Sequence, residues 1–377
     1  MHYRLLGRTG LRVSEVWLGA MTFGEHWGWG APESACRRML DSYLDAGGNV
    51  VDTADWYTNG ASEEMLGRLL GNRRDRVVIS TKYSIAVRPE DPNGVGNHRR
   101  HLTEAIEAAL RRLRTDRIDL LWVHFRDELT PIEETMRALD DQVRLGKVLY
   151  VGASDWTAWE VSYANAVAQL RDWSPFAALQ TQYSLIERTP ERDLIPMCNS
   201  LGLSVVAWSP LAKGLLSGKY LASGATGRVT TTGSAEMDPR TEAVVRETVA
   251  VADELGVTPS QVALAWLLAR EASVVPILGA TTPGQLEENL GVLEVRLEPD
   301  HLARLDSTSS IERGFPHDWL ASPAARAVMY GPLRESVVAE RRAASRQPAI
   351  GRSIRIRSPS RCRPAWTPAS SCRSSTG

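Results

Sequence analysis

Cysteine is scarce in this sequence. Only four occur in 377 residues, Cys36, Cys198, Cys362 and Cys372, and their separations match neither a zinc site nor a disulfide framework. A reducing compartment is therefore expected. No apolar run reaches membrane-spanning length, and the opening Met1-His2-Tyr3-Arg4-Leu5-Leu6 lacks the basic region and long apolar stretch of a secretory signal. The expected location is the cytoplasm. Net charge is also nearly absent, −1 at neutral pH, which offers no case for a nucleic-acid or membrane-surface partner. That balance conceals an asymmetry. Beyond Glu340 there are nine arginines, no lysine and no acid, so residues 1–340 hold 35 basic against 45 acidic side chains, a net −10.

What is present is a regular alternation of short β-type apolar runs with longer amphipathic stretches, the pattern of a parallel sheet built from βα units. Eight strands are predicted at Val16–Gly19, Asn49–Asp52, Val77–Thr81, Leu120–His124, Leu149–Ser154, Ala178–Gln182, Ser204–Trp208 and Val274–Leu278. Helices are predicted near 32–46, 62–71, 101–113, 132–145, 156–172, 191–201, 259–270 and 283–290, with the third starting at a cap formed by Thr103 and Glu104. Eight such units close a (β/α)8 barrel, a TIM barrel. Two additions are expected: a hairpin of Arg4–Leu6 with Leu11–Val13 across Gly7–Gly10, plugging the floor, and an extra helix near 242–256. The latter follows a Gly- and Thr-rich insertion at 223–233, long enough to suggest a functional loop. Residues 1–340 are expected as the barrel domain. Residues 341–377 are rich in Arg, Ser and Pro and are expected to be a disordered tail.

Asp52, Lys82, His124, Ser154, Gln180, Trp208 and Gly279 fall at or just beyond the ends of strands two to eight. In a closed barrel those tips converge on the face where active sites sit. A single strand-end Asp or His is more often structural, but seven in phase describe one mouth.

These positions lie in Asp52-Thr53-Ala54-Asp55-Trp56-Tyr57, Ser80-Thr81-Lys82, Asp119-Leu120-Leu121-Trp122-Val123-His124, Gly146-Lys147-Val148 through Ser154, Trp208-Ser209-Pro210-Leu211 through Gly218-Lys219-Tyr220, and Leu278-Gly279-Ala280-Thr281 through Glu288-Asn289. Together these segments resemble the aldo-keto reductase family over roughly residues 3–335. The resemblance implies a catalytic tetrad of Asp52, Tyr57, Lys82 and His124, and a nicotinamide cofactor lying extended over the mouth, in keeping with the lack of a Gly-rich turn after the first strand. It implies that Ser154 and Gln180 hold the carboxamide and Trp208 stacks on the ring. Asp155 stands where many members have Asn, and an ionised carboxylate accepts but does not donate. Ser209, Leu211, Lys213 and Lys219 match the segment beneath the pyrophosphate, Gly279, Thr281, Gln285, Glu288 and Asn289 the adenosine side. Thr281, Gln285 and Arg228 suit a 2′-phosphate, so NADPH is expected over NADH.

The chemistry follows from the groups themselves. Hydride delivered to a carbonyl carbon leaves charge on oxygen, and a proton donor must be waiting there. Tyr57 is the expected acid, Lys82 stabilises its phenolate, Asp52 keeps Lys82 charged, and His124 hydrogen-bonds the substrate oxygen. No metal is required. Trp27, Trp29, Trp56 and Phe125, with Trp319 farther along, are candidates to line an aromatic pocket for a small carbonyl substrate, and Arg126 and Asp127 to select polar ones. Two other readings stand beside the NADP-dependent reductase. One is a cofactor-binding regulatory subunit, because the segments around Trp208 and Gly279 also resemble potassium-channel β subunits. The other is a barrel isomerase using Lys82 differently.

Overall fold

The computed structural model describes residues 1–88, 90–222, 237–270 and 273–331. The chain forms two units, Met1–Ser322 and Pro323–Gly377. Of the second, the described part is a helix at Pro323–Tyr330. The predicted insertion at 223–233, Arg228 within it, and the tail from 341 lie outside the described residues.

In the first unit, strands β1 (Tyr3–Leu5) and β2 (Arg12–Ser14) pair antiparallel as the hairpin. Eight parallel strands follow: β3 (Trp17–Gly19), β4 (Val50–Asp52), β5 (Val78–Tyr83), β6 (Ile118–Val123), β7 (Val148–Ser154), β8 (Phe176–Gln182), β9 (Ser204–Trp208) and β10 (Val274–Leu278). Each pairs with the next, and β10 closes on β3 through Ile277 opposite Trp17 and Leu278 opposite Leu18. Every predicted strand lies within two residues of an observed one at each end.

The helices between them are α1 (Glu33–Asp45), α2 (Ala61–Leu70), α3 (Arg99–Leu113), α4 (Ile132–Arg144), α5 (Ala158–Leu170) and α6 (Leu194–Leu201). Next come the extra helix α7 (Pro239–Leu255), then α8 (Pro259–Leu268) and α9 (Pro283–Leu290). Two more, α10 (Pro299–Thr308) and α11 (His317–Ala321), were not expected from the sequence. Four starts share one device: a side chain at the N-cap followed by proline at the first helical position, at Asp238-Pro239, Thr258-Pro259, Thr282-Pro283 and Glu298-Pro299. The start expected at Thr103 is displaced. His98 caps α3, accepting from the His101 backbone N–H, and Thr103 lies inside the helix with its hydroxyl donating to Arg99 O at 2.9 Å.

Two apolar cores result. One fills the shell between strands and helices, and the other fills the barrel with Trp17, Val50, Leu120, Trp122, Val206 and Ile277. Trp122 fits because its pairing partner on β7 is Gly152: a Cβ there would come within 2.4 Å of the indole. The hairpin seals the floor. Leu6 and Val13 join the inner core, and the Gly7 N–H donates to Ser204 Oγ, at the start of β9, at 2.8 Å. Gly7 has φ +53°, and a Cβ would lie 2.2 Å from Ala177 O, so only glycine suits the turn. With that end closed, the accessible end of the barrel is the one bearing the strand C-termini.

Candidate active site

Four of the predicted residues meet at that end. Asp52 ends β4, Lys82 lies near the end of β5 and His124 follows β6, while Tyr57 sits on the loop leaving β4. The Lys82 ammonium is buried and has three oxygen acceptors: the Asp52 carboxylate, Thr53 O at 2.8 Å and the Tyr57 hydroxyl at 3.0 Å. Burial alone would lower the Lys82 pKa, but Asp52 and the Tyr57 oxygen outweigh it and hold it above the usual lysine value. Tyr57 is also raised, by burial first, with Lys82 working in the opposite direction. The His124 ring meets the Tyr57 ring edge-on at 6.1 Å. Burial, and then the nearby Lys82 cation, push its pKa down to about 2, so the imidazole is neutral.

The loop bearing Tyr57 is a tight turn. Thr58 and Asn59 take left-handed conformations (φ 48° and 58°) and Gly60 follows at φ 87°. For a β-branched residue that is costly. Thr58 is retained there by its hydroxyl, which donates to Phe23 O at 3.0 Å. The turn folds the chain back immediately after the tyrosine, so the phenol is delivered to Lys82 from a short anchored segment.

A layer missed in the sequence holds the carboxylate. Ser80, two residues before Lys82 and so on the same face of β5, donates to Asp52 Oδ1 at 2.7 Å and accepts from Trp122 Nε1 at 2.5 Å. Gln180 Nε2 donates to the same Oδ1 at 3.1 Å. The sequence signal for Ser80 is its i, i+2 spacing from Lys82. Asp55, also overlooked, is buried, and neither of its carboxylate oxygens has a hydrogen-bond partner. Its pKa is pushed well above the usual range by burial and by Glu63, against Arg112 and Lys82. Glu63 itself is fully buried, accepting from Thr81 at 2.5 Å and Arg112 at 2.7 Å.

This arrangement occurs in a chain whose residues 15–310 match the model of the Aldo/keto reductase family. The chain belongs to the aldo/keto reductase family. It is 38% identical to the uncharacterized oxidoreductase YrpG of Bacillus subtilis (strain 168), over 81% of this chain and 95% of that protein. It is 35% identical to the aryl-alcohol dehydrogenase [NADP(+)] of Phanerodontia chrysosporium, over 84% of this chain and 88% of that one. With the versiconal hemiacetal acetate reductase of Aspergillus parasiticus it shares 36% identity, over 81% and 96%. It is thus an oxidoreductase on a (β/α)8 barrel.

Around the tetrad of this aldo/keto reductase, Ser154 ends β7 and is buried, as is Gln180 in β8. Trp208 ends β9, half-buried, its indole N–H donating to Asp155 Oδ1 at 3.0 Å. Ser209 (φ 50°), Ala212 (48°) and Lys213 (58°) all adopt left-handed backbone, so the segment through Leu211 is tightly wound. Lys213 and Lys219 are exposed, the latter 4.9 Å from the Tyr220 ring centre. Gly279 has open space where a Cβ would project. Gln285 Oε1 accepts from both Thr281 N (2.9 Å) and Thr281 Oγ1 (3.0 Å), locking the pair at the N-terminus of α9. Glu288 is exposed and Asn289 buried on the same helix.

The aromatic candidates divide. Trp27 packs against Trp29 at 5.3 Å and Trp56 at 4.8 Å, while Phe125 stacks on His124 at 4.6 Å with only 11° between planes. Trp319 is exposed, with Phe315 as its ring neighbour. Arg126 and Asp127, expected as possible selectors of polar substrates, are engaged in structure. Arg126 pairs with Glu160 at 2.9 Å, and Asp127 accepts from Asn97 N, Leu129 N and the Thr130 hydroxyl. Among the described residues no helix is long and apolar enough to cross a membrane.

Proposed function

We propose that this protein reduces aldehydes or ketones to alcohols with NADPH, with Tyr57 as general acid. The observation that carries this is the Tyr57 hydroxyl 3.0 Å from a buried Lys82 ammonium that is itself paired to Asp52. When bound, the cofactor supplies a hydride to the carbonyl carbon. As charge grows on the carbonyl oxygen, Tyr57 donates its proton there and Lys82 stabilises the phenolate that remains. Asp52, fixed by Ser80 and Gln180, keeps Lys82 charged and aimed. Neutral His124 has a buried Nδ1 without a partner; since orphaned donors are rarer than orphaned acceptors, we place its proton on Nε2, where it donates to the substrate oxygen.

The residues present fit such a cofactor. Gln180 directs its Nε2 at Asp52, leaving its carbonyl oxygen to accept from a carboxamide. Trp208 offers a half-buried indole face, Gly279 leaves room for close approach, and α9 presents an N-terminus beside Thr281 and Gln285 to a phosphate. Ser154, Asp155, Ser209, Leu211, Lys213, Lys219, Glu288 and Asn289 complete the proposed cofactor set among the described residues. For the substrate, the indoles of Trp27 and Trp56 and the exposed face of Phe125 favour flat aryl carbonyl compounds. The aryl-alcohol dehydrogenase among the relatives supports that class.

Tyr57→Phe tests the assignment. Its kcat for NADPH-coupled aldehyde reduction should fall by about a hundredfold or more while NADPH binding barely changes, as for loss of a general acid. Near-normal turnover would remove Tyr57 from the role. Tight NADPH binding with no turnover across aliphatic, aryl and sugar carbonyls in the native protein would favour the regulatory-subunit reading instead.

A further inference from the structure

Asp155 lies among the residues proposed to receive the nicotinamide ring. It follows Ser154 at the end of β7 with φ +53°, and its backbone N–H donates to Gln180 O at 3.2 Å. Its Oδ1 accepts from Trp208 Nε1 at 3.0 Å. The carboxylate lies within electrostatic reach of both Lys82 and Tyr57, so it belongs to the same mouth. A ring that delivers hydride to a carbonyl held at Tyr57 must bring its reactive carbon to that carbonyl, and hence into the field of Asp155. That ring is neutral when reduced and carries a formal positive charge when oxidised. A carboxylate beside it stabilises the second form and does little for the first.

We propose that Asp155 sets the redox-state preference of the bound cofactor: its carboxylate tightens NADP+ relative to NADPH, and the preference disappears when the carboxyl group is neutral. The inference rests on the nicotinamide reading above. Partial desolvation raises the Asp155 pKa to about 6, opposed by the Trp208 hydrogen bond and by Lys82. Around it, Lys82 and Tyr57 are shifted upward and His124 down to about 2, so none of these three changes charge between pH 5 and 8. The preference for NADP+ should therefore be weak at pH 5 and grow as pH rises through about 6. A phosphate monoester also titrates near pH 6, but both cofactor forms carry it, and it cancels in their ratio.

The test is calorimetric titration of the full-length protein with NADP+ and with NADPH from pH 5 to 7.5, beside Asp155→Asn. Asparagine keeps an oxygen for the Trp208 N–H and loses only the charge, so it separates electrostatics from orientation. It also leaves the buried acids Asp55 and Glu63 unchanged. The ratio Kd(NADPH)/Kd(NADP+) should rise about fivefold across this range in the native protein and stay flat in the variant. A ratio independent of pH, or a rise equally large in Asp155→Asn, would overturn the proposal. If neither cofactor binds, the nicotinamide reading falls and takes this inference with it.

Discussion

Lys82 directs its ammonium at three acceptors, and a different kind of oxygen meets each: a carboxylate, a backbone carbonyl and a phenol. An ammonium has three protons to give, so the group is saturated and its direction fixed. The charge depends on Asp52, because burial works against it. In Asp52→Asn that counter-charge is gone, and the Lys82 pKa should drop. Since Lys82 helps only while protonated, the variant's pH–rate profile should lose activity at lower pH than the native one, with kcat down by about ten- to a hundredfold at neutral pH. A native-like alkaline limb would show that Asp52 does not maintain the charge. At this scale the sequence was informative for Asp52, Lys82 and His124, because strand-end placement needs only the period of the sheet. It was silent on Asp55, whose burial depends on how the Tyr57 turn folds over it.

Helix starts show where local reasoning stops. Thr103 and Glu104 look like a cap, but a threonine hydroxyl can equally bond the carbonyl one turn back, and His98 takes the capping role. Helix α10 was not expected, although Glu298-Pro299 repeats the signal that marks α8 and α9. What sequence does not carry is the surroundings of α3. His101, in its first turn, is buried with neither ring nitrogen partnered. Burial, then His98 and Arg88, lower its pKa from 6.5 to about 4. The unfolded chain takes up a proton near pH 6.5 and the folded chain only near 4. Stability from this residue is therefore fully present above 6.5 and is lost as pH falls toward 4, by about 3 kcal/mol. Denaturant melts between pH 7 and 4 should show that decline, and His101→Phe should flatten it. An unchanged slope in the variant would place the acid sensitivity elsewhere.

For the whole molecule, eight strands in the predicted order, a sealed floor and a mouth at the other end followed from alternation and spacing alone. The pattern survives because each helix buries one face against the strands, while each strand, covered on both faces by the two cores, reads as a short continuous apolar run. Side-chain engagement was less legible: Arg126 and Asp127 fall near the mouth in sequence but are tied into a helix cap and a loop, through Glu160 and Asn97 far along the chain as well as Leu129 and Thr130 nearby. All described residues of the proposed site lie between Trp27 and Asn289. Deleting 345–377 should therefore leave kcat/KM within about twofold of the full-length value in NADPH-coupled assays. A truncated protein without turnover would give the basic tail a part in the reaction.

The indole of Trp122 packs inside the barrel against a glycine that makes room for it, and its N–H reaches, by way of Ser80, the carboxylate that holds Lys82. Thermal robustness and reaction speed thus have a common part. Engineering that exchanges this ring for a tighter-packing neighbour would raise the melting temperature only at the risk of slowing turnover, so variants hardened without loss of rate are to be sought in the outer shell between strands and helices.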